Sequence, residues 1–206
     1  MSLSTMLSGK GTTLYTHKMC PFAQKVWIAL NAAGSPYTIE EIQLYGGKPD
    51  WFLKMNPKGL VPVLKHGETV VTESEDILEY IAGVDYPKKN EVVCVGDREE
   101  ELWWRTVIDH RLKPIGKEAV NRGTFSKDLA NVLIEMEMRL AAKGTLFLGG
   151  NILTLADASA FPFLFRLNVE YDLDNSEFPS LKRWLMHMNS IEMVSGTIVH
   201  SWWWWW

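Results

Sequence analysis

The sequence has few cysteines, no long apolar run and no large excess of charge of either sign. Two cysteines among 206 residues argue against a disulfide-stabilised scaffold and favour a reducing compartment. No stretch approaches the roughly 20 apolar residues of a transmembrane helix, and residues 1–10 lack the apolar core of a secretory signal. A net charge of −4 disfavours binding to nucleic-acid phosphates. We therefore expect a cytoplasmic protein that binds neither nucleic acid nor membranes.

What the sequence does contain is typical of a soluble globular enzyme or binding protein. Hydrophobic residues make up 47% and charged residues 22%, so a chain of this length can bury one large core or two smaller ones. No spacing of His, Cys or Asp indicates a metal site. The tail Trp202–Trp206 matches neither helical nor strand periodicity. It is compatible with a non-native addition, a lid over an apolar site or an interfacial anchor, and we leave it out of the fold prediction.

Residues 1–82 alternate between strand and helix patterns. Strands are predicted at 12–16, 37–42, 61–65 and 69–71, helices at 21–33 and 74–82, and a short helical or irregular piece at 48–54. The last two strands flank the turn His66-Gly67-Glu68, which is typical of a hairpin. The order β-α-β-α-β-β-α predicts a compact α/β domain.

Beyond residue 82 the strand patterns disappear. Residues 83–96 are rich in glycine, proline and charge, and are predicted to be a linker that contains Cys94. Helical periodicity then recurs at 97–120, 127–142, 154–167 and 178–189, the first of these being interrupted near Pro114. The third is apolar on nearly all sides and begins with a Thr154-x-x-Asp157 capping pattern, as expected for a buried central helix. Residues 97–201 are therefore predicted to form an all-helical domain.

Cys20 stands between the first predicted strand and the first predicted helix. Pro21 suits the first helical turn, where its missing N–H costs nothing, so the thiol is expected at a helix N-terminus. Unpaired N–H groups and the helix dipole favour an anion there, and they lower the pKa of a cysteine. Because residue 23 is alanine rather than a second cysteine, a C-x-x-C disulfide is excluded. Cys20 is predicted to form a mixed disulfide with an external thiol; the alternative is a buried structural cysteine.

Three further positions suggest a ligand site, and each also has a structural interpretation. Val61-Pro62 opens the predicted hairpin, where proline marks an edge strand or a bend. Glu73-Ser74 precedes a helix and can hold a carboxylate through the hydroxyl and nearby N–H groups. The same residues can instead belong to a helix cap in which Thr72 and Glu75 take part. Lys48 can pair with a second carboxylate, although a single lysine is usually solvated.

Taken together, several segments resemble one family. The run from Cys20 to Ala29, CPFAQKVWIA, looks like the active-site segment of cysteine-type glutathione transferases, in particular the omega and lambda classes and the dehydroascorbate reductases. Segments at matching intervals resemble the same family, namely Lys48–Phe52, Asn56–Leu64, Glu73-Ser74 and Thr154–Asp157. The resemblance implies a thioredoxin-like N-terminal domain that binds glutathione and a helical C-terminal domain that supplies the wall for the acceptor substrate.

The resemblance also implies an activity. Cys20 is expected to form a mixed disulfide with glutathione, the co-substrate, and Phe22 is expected to shape the site beside it. The implied function is a glutathione-dependent thiol transferase or reductase. Its acceptor would be a small electrophile, a disulfide as in deglutathionylation, or a compound such as dehydroascorbate. The implied assembly is a monomer or a homodimer, and no metal is implied.

Five residues are expected to hold the glutathione tripeptide. The resemblance implies that Val61, before a cis Pro62, pairs its main chain with the cysteinyl part. Glu73 and Ser74 would then hold the γ-glutamyl end, and Lys48 would lie near the glycyl carboxylate.

The acceptor side is less well defined by the sequence. We place Tyr15, Trp103 and Trp104 there, although aromatic residues at helical spacing more often belong to the core. An alternative function is a noncatalytic carrier of apolar ligands on the same scaffold. A third interpretation is a relative of the intracellular chloride channels, which share the Cys-Pro-Phe start. Glu73-Ser74 and the lack of an apolar first helix weigh against it.

Overall fold

The N-terminal half of the chain folds around a mixed four-stranded sheet. The computed structural model describes residues 11–34, 36–43, 45–84, 97–173 and 176–199. The strands are β1 (Thr12–Thr16), β2 (Thr38–Glu41), β3 (Val63–His66) and β4 (Thr69–Thr72), in the spatial order β2-β1-β3-β4. β2 runs parallel to β1, whereas β3 is antiparallel to both β1 and β4. This half therefore has the expected thioredoxin-like architecture.

Helices cover both faces of this sheet. They are α1 (Pro21–Ala33), α2 (Asp50–Met55) and α3 (Ser74–Gly83). Successive strand residues point to opposite faces. Leu14 and Leu64 belong to the main hydrophobic core, together with residues of α1 and α3, whereas Tyr15 packs with Phe52 of α2 in a separate, smaller core.

The second half of the described chain is helical. Its helices are α4 (Arg98–Val107), α5 (Lys113–Arg122), α6 (Lys127–Lys143), α7 (Leu155–Tyr171), α8 (Pro179–Ser190) and the short α9 (Glu192–Ser195). A π-helical turn, Ile108–Leu112, joins α4 to α5. The interruption expected near Pro114 takes this form. Proline lacks the N–H needed for the helical ladder and its ring crowds the preceding turn, and the wider π turn lets the helix continue.

α7 is the buried centre of the helical half, as its all-round apolar pattern predicted. Its first ten residues, 155–164, are all buried. The Asp157 carboxylate accepts hydrogen bonds from the N–H and the hydroxyl of Thr154, both at 2.9 Å, which confirms the capping pattern. It also accepts hydrogen bonds from the Leu148 N–H and the indole N–H of Trp184, both at 2.8 Å. One buried carboxylate therefore connects α7 with α8 and with the preceding loop.

Buried charges anchor α1 between the two halves. Lys25 is completely buried, and its ammonium pairs with Glu75 of α3. Glu75 also accepts two hydrogen bonds from Arg105 of α4, at 2.6 and 2.8 Å, and one from the Ser159 hydroxyl of α7 at 3.3 Å. The helical periodicity of residues 21–33 leaves Gln24 and Lys25 on the polar face of α1. Both side chains are nevertheless buried, because the helical half covers this face.

Most of the predicted elements begin and end within two residues of the observed ones. The predicted linker beyond residue 84, including Cys94, and the tail Trp202–Trp206 lie outside the described residues. Within the described ranges, no helix is both long and apolar enough to span a membrane. The same ranges contain no group of three or more His, Cys, Asp or Glu side chains arranged to hold a metal ion.

Candidate functional site

Cys20 lies at the junction of the β1–α1 loop and α1, immediately before the helix begins. Pro21 is the first helical residue, as predicted. The Cys20 N–H donates to the His17 carbonyl, and the Cys20 carbonyl accepts from the Gln24 N–H, both at 2.9 Å. The side chain is buried, and its thiol donates to the carbonyl oxygen of Val61, with Sγ 3.9 Å from that oxygen. The thiol therefore has the expected position at a helix N-terminus.

Opposing effects set the protonation of the thiol. Burial raises the pKa of Cys20. The N–H groups of Ala23 and Phe22 act in the opposite direction. The positive charges of Arg166 and Lys25 also lower this pKa, but burial outweighs all four groups. The lowered pKa predicted from the helix N-terminus is therefore wrong for this buried thiol, because the local sequence contains no information on how deeply Sγ is buried.

A cavity of about 330 Å³ lies beside Cys20. Residues from α1, from the loops around α2 and β3, and from the start of α3 line it. They are Cys20, Phe22, Lys48, Asn56, Gly59, Leu60, Val61, Pro62, Glu73 and Ser74. All seven residues that the sequence analysis assigned to the thiol and to glutathione are among them, although their contacts with a ligand stay a prediction. Small-molecule sites commonly enclose about 300–1,000 Å³, so a tripeptide-sized ligand suits this volume.

The loop that leads into β3 forms one wall of the cavity. The Val61–Pro62 peptide bond is cis. The β1–β3 ladder begins only at Val63, which pairs with Tyr15, and not at residue 61 as the strand pattern predicted. Proline has no N–H to donate to a ladder, which accounts for the later start. The main chain of Val61 therefore lies outside the sheet, next to the thiol, where an extended ligand can pair with it.

The start of α3 holds the acidic residue of the cavity in an unusual backbone conformation. Glu73 has a φ of 65°, a region that residues other than glycine seldom adopt. Its carboxylate pairs with Lys58 at 2.6 Å and does not cap the helix that begins at Ser74. The cap proposed for Thr72 and Glu75 is wrong, because residue 73 precedes the helix and Glu75 belongs to the buried ion cluster. Strained backbone of this kind occurs preferentially at functional sites.

A tight turn that the sequence analysis did not assign to the site supports the same wall. Asn56 is buried; its amide N–H donates to the Leu60 carbonyl at 2.9 Å, and its Oδ1 accepts from the Lys58 N–H at 3.3 Å. Gly59 has a φ of 63°, and a Cβ there would lie 3.4 Å from Cγ of Lys48. The signal was present in the sequence, because an Asn-Pro-x-Gly run is typical of a turn.

The residues predicted for the acceptor side do not line this cavity. Trp104 is completely buried, and its indole N–H donates to Glu100 at 2.9 Å. Trp103 packs edge-on against Trp104, and the guanidinium of Arg139 lies 4.1 Å from its ring centroid. Tyr15 is buried in the smaller core of the sheet. All three assignments are corrected: Tyr15 and Trp104 belong to the two cores, and Trp103 is a partly buried residue that packs against the larger core. Helical or strand spacing alone does not distinguish such positions from a cleft wall.

Phe22 forms the border between the cavity and the helical half. Its ring packs edge-on against Phe163 of α7, with the ring centroids 5.4 Å apart. Nζ of Lys113, at the start of α5, lies 4.7 Å from the Phe22 centroid. Phe163 and Lys113 are therefore better candidates for the acceptor wall than the tryptophans.

A buried arginine of the helical half reaches the segment that contains Cys20. Arg166 of α7 donates to the side-chain oxygen of Gln24 at 2.7 Å and to the Met19 carbonyl at 3.2 Å. Gln24 in turn donates to the Thr197 hydroxyl at 3.1 Å. The sequence analysis missed this group. Its signal is an arginine inside a helix that is otherwise apolar on all sides, since a buried charge requires partners.

Comparison with known proteins shows similarity over nearly the whole chain. The family models "Glutathione S-transferase, N-terminal domain" and "Glutathione S-transferase, C-terminal domain" match residues 19–83 and 117–185. Pyrimidodiazepine synthase of Drosophila melanogaster is 32% identical over 188 residues, which are 85% of this chain and 75% of that protein. Glutathione S-transferase L3 of Arabidopsis thaliana is 34% identical over 194 residues, 87% of this chain and 79% of that protein. The structure of glutathione transferase Omega 1C from Trametes versicolor has a TM-score of 0.79 and 25% identity, with 92% of each chain covered.

Proposed function

The chain belongs to the glutathione S-transferase family, and on that premise we propose that it is a glutathione-dependent thiol transferase or reductase that works through a mixed disulfide between Cys20 and glutathione. The observation that carries the proposal is the Cys20 thiol beside the cavity at the start of α1. The described lining of that cavity contains no second cysteine, and residue 23 is alanine. We therefore propose that an external thiol resolves a disulfide formed at Cys20.

The groups around the cavity suit a γ-glutamyl tripeptide. Ser74 begins α3, so its hydroxyl and the first helical N–H groups favour a carboxylate. The neighbouring Glu73 suits the ammonium of the γ-glutamyl residue. Lys48 suits the glycyl carboxylate at the other end, and the main chain of Val61 suits the cysteinyl residue between them. In this pose the ligand sulfur lies next to Cys20.

The proposed reaction is a pair of thiol–disulfide exchanges. Cys20 loses its proton to solvent, and its Sγ attacks the glutathione sulfur of a glutathionylated substrate. A new S–S bond forms between Cys20 and glutathione as the old one breaks, and the substrate leaves as a thiolate that takes up a proton. The thiolate of a second glutathione attacks the glutathione sulfur of this intermediate, which releases oxidised glutathione and restores Cys20.

Reduction of dehydroascorbate has the same electron balance. Two glutathione thiols are oxidised to one disulfide, and the acceptor gains two electrons and two protons. Either reaction needs a supply of reduced glutathione, and we therefore propose a cytoplasmic location. The carrier alternative depended on Trp103 and Trp104 lining an apolar cleft, but Trp104 is a core residue and Trp103 packs against the core.

The test compares Cys20→Ser with the matched control Cys94→Ser in a hydroxyethyl disulfide assay with glutathione. We expect Cys20→Ser to lose thiol transfer while it still binds glutathione in calorimetry, because the carboxylate-binding groups are unchanged. Mass spectrometry of the wild type and of the control should show one glutathione adduct that dithiothreitol removes. Turnover retained by Cys20→Ser would refute the mechanism.

A further inference from the structure

An exposed ion pair joins two walls of the cavity at the end assigned to the γ-glutamyl residue. The ammonium of Lys58 lies 2.6 Å from Oε1 of Glu73. We propose that Lys58 is a positioning residue, which holds the Glu73 carboxylate in place for the ammonium of the γ-glutamyl residue. The inference rests on the proposed function, since it takes glutathione as the ligand of this cavity.

The main chain at Lys58 is held in place by the turn that lines the cavity. Its N–H donates to Oδ1 of the buried Asn56 at 3.3 Å. The Asn56 side chain also donates to the Leu60 carbonyl at 2.9 Å, and the Gly59 N–H donates to the Asn56 carbonyl at 2.9 Å. Asn56, Gly59 and Leu60 all line the cavity. The lysine side chain therefore extends from a fixed point of the cavity wall.

The main chain at Glu73 is equally well defined, but its side chain depends on the lysine. Glu73 stands between Thr72, which ends β4, and Ser74, which begins α3. Its carbonyl accepts from the Ile77 N–H at 2.9 Å, which ties it to the first helical turn. The side chain is 51% exposed and makes no hydrogen bond to the helix cap. Among the residues that the structure describes, Lys58 is the one partner that fixes the direction of this carboxylate.

The pair leaves the carboxylate of Glu73 able to bind a second cation. Lys58 donates to Oε1, whereas Oε2 accepts no hydrogen bond within the described part of the chain. A carboxylate has about four acceptor sites on its two oxygens, so a ligand ammonium can bind beside the lysine without breaking the pair. The γ-glutamyl end also carries a carboxylate, which suits the helix N-terminus at Ser74. That negative charge offsets the repulsion between the two cations.

The experiment is a double-mutant cycle measured by calorimetry with reduced glutathione. An exposed ion pair contributes little, so Lys58→Met should raise the dissociation constant of glutathione only about two- to fivefold. Glu73→Gln should raise it more, because the ligand ammonium then loses its charged partner. The double variant should bind glutathione as Glu73→Gln does, since the lysine acts through the glutamate. Lys58→Arg, which keeps the charge, should restore most of the affinity lost in Lys58→Met.

Lys54→Met is the matched control, because it removes the same charge from the same half of the chain. Lys54 is exposed in the last turn of α2, and it does not line the cavity. Exposed charges more than about 8 Å apart are largely screened at 0.15 M salt, so this variant should bind glutathione as the wild type does. The loss of affinity in Lys58→Met beyond that of the control then measures the contact with Glu73.

Two results would overturn the positioning role. Binding by Lys58→Met that equals the control, or is tighter, would mean that the lysine does not help Glu73 or competes with the ligand ammonium for it. A further loss in the double variant, relative to Glu73→Gln, would mean that Lys58 acts on the ligand directly or through the turn. A wild type that binds no glutathione would instead refute the proposed function itself, so the two failures are distinguishable.

Discussion

Replacing Glu75 by glutamine should destabilise the protein far more than replacing Lys25 by methionine, although the two side chains form one ion pair. Glu75 neutralises two buried cations, since it pairs with Lys25 and accepts from Arg105 at 2.6 and 2.8 Å. Glutamine has no charge, so Lys25 loses its hydrogen-bonded counter-charge, whereas Arg105 keeps Glu79 at 2.5 Å and Glu101 at 3.2 Å. Methionine at position 25 leaves Glu75 paired with Arg105, so no uncompensated charge is created.

The expected difference follows from the surroundings of each charge. Lys25 has 0% side-chain exposure, and its other carboxylate neighbour, Asp109, lies at 3.8 Å, beyond hydrogen-bond distance. Removing one partner of a buried ion pair destabilises a protein by about 3–5 kcal/mol, whereas replacing buried ionic groups by apolar ones is often neutral or stabilising. We expect Glu75→Gln to lower the free energy of unfolding by about 3–5 kcal/mol and Lys25→Met to change it by less than about 1 kcal/mol.

Urea unfolding followed by tryptophan fluorescence and by circular dichroism measures both values, provided that the two signals give coincident transitions. The double variant completes a cycle, in which the loss seen in Glu75→Gln should largely disappear once Lys25 is also methionine. Equal losses in the two single variants would refute the reasoning, because they would mean that Arg105 does not neutralise Glu75 on its own.

The same cluster predicts a loss of stability in acid. Burial alone would raise the pKa of Glu75, and the charges of Lys25 and Arg105 outweigh it and hold this pKa below its ordinary value of 4.5. A carboxyl group with a depressed pKa stabilises the fold fully above its unfolded pKa, and this contribution disappears as pH falls through the folded pKa. The free energy of unfolding of the wild type should therefore fall below about pH 4.5, and that of Glu75→Gln should fall less over the same range.

Two further substitutions test the cavity wall and the helical core. Gly59→Ala places a side chain at a φ of 63° and a Cβ 3.2 Å from Cδ2 of Leu53. We expect the free energy of unfolding in urea to fall by about 1–2 kcal/mol. The KM for glutathione should rise while kcat is unchanged. An unchanged KM would show that the turn does not shape the glutathione site. Asp157→Ala removes the acceptor of three buried N–H groups, those of Leu148, Thr154 and Trp184. Leaving a buried N–H group without an acceptor costs about 1–3 kcal/mol, so the midpoint of urea unfolding should shift to a much lower urea concentration. Asp157→Asn keeps one acceptor oxygen and should lose less; equal losses would contradict this assignment.

The parts of the fold that depend on neighbours in sequence were predictable. The strand composition of 12–16, the proline at position 21 and the periodicity of 21–33 together placed Cys20 at the start of α1. The cavity residues could also be predicted from the sequence. Loops at the ends of strands and helices commonly carry binding residues, and this is where Val61, Pro62, Glu73 and Ser74 lie. The division of the chain into a sheet half and a helical half was predictable as well, because strand patterns give way to helical periodicity near residue 83.

What the sequence analysis missed depends on contacts between the halves. Gln24 and Lys25 lie on a face of α1 that is polar in sequence, and contacts with Arg166 of α7 and Glu75 of α3 make that face an interior with its own hydrogen bonds. The pattern around Trp103 and Trp104 suits a cleft wall and a core face alike, and contacts with Arg139 of α6 and Glu100 of α4 decide between them. A local pattern reports amphipathicity but not which partner covers each face.

Burial and reactivity act in opposite directions on Cys20, because burial raises the pKa of the thiol and the groups around it offset this rise only in part. The thiolate is the nucleophile in disulfide exchange, but its intrinsic nucleophilicity falls as its pKa falls, with a Brønsted coefficient of about 0.4–0.5. The attacking thiol that reacts fastest therefore has a pKa near the ambient pH rather than a strongly acidic one. Burial raises the pKa of Cys20 by more than two N–H groups and the charges of Arg166 and Lys25 lower it. Thiol transfer should therefore become faster as pH rises towards that pKa, and a pH profile of kcat/KM in the hydroxyethyl disulfide assay measures this; a profile that falls as pH rises would contradict the reasoning.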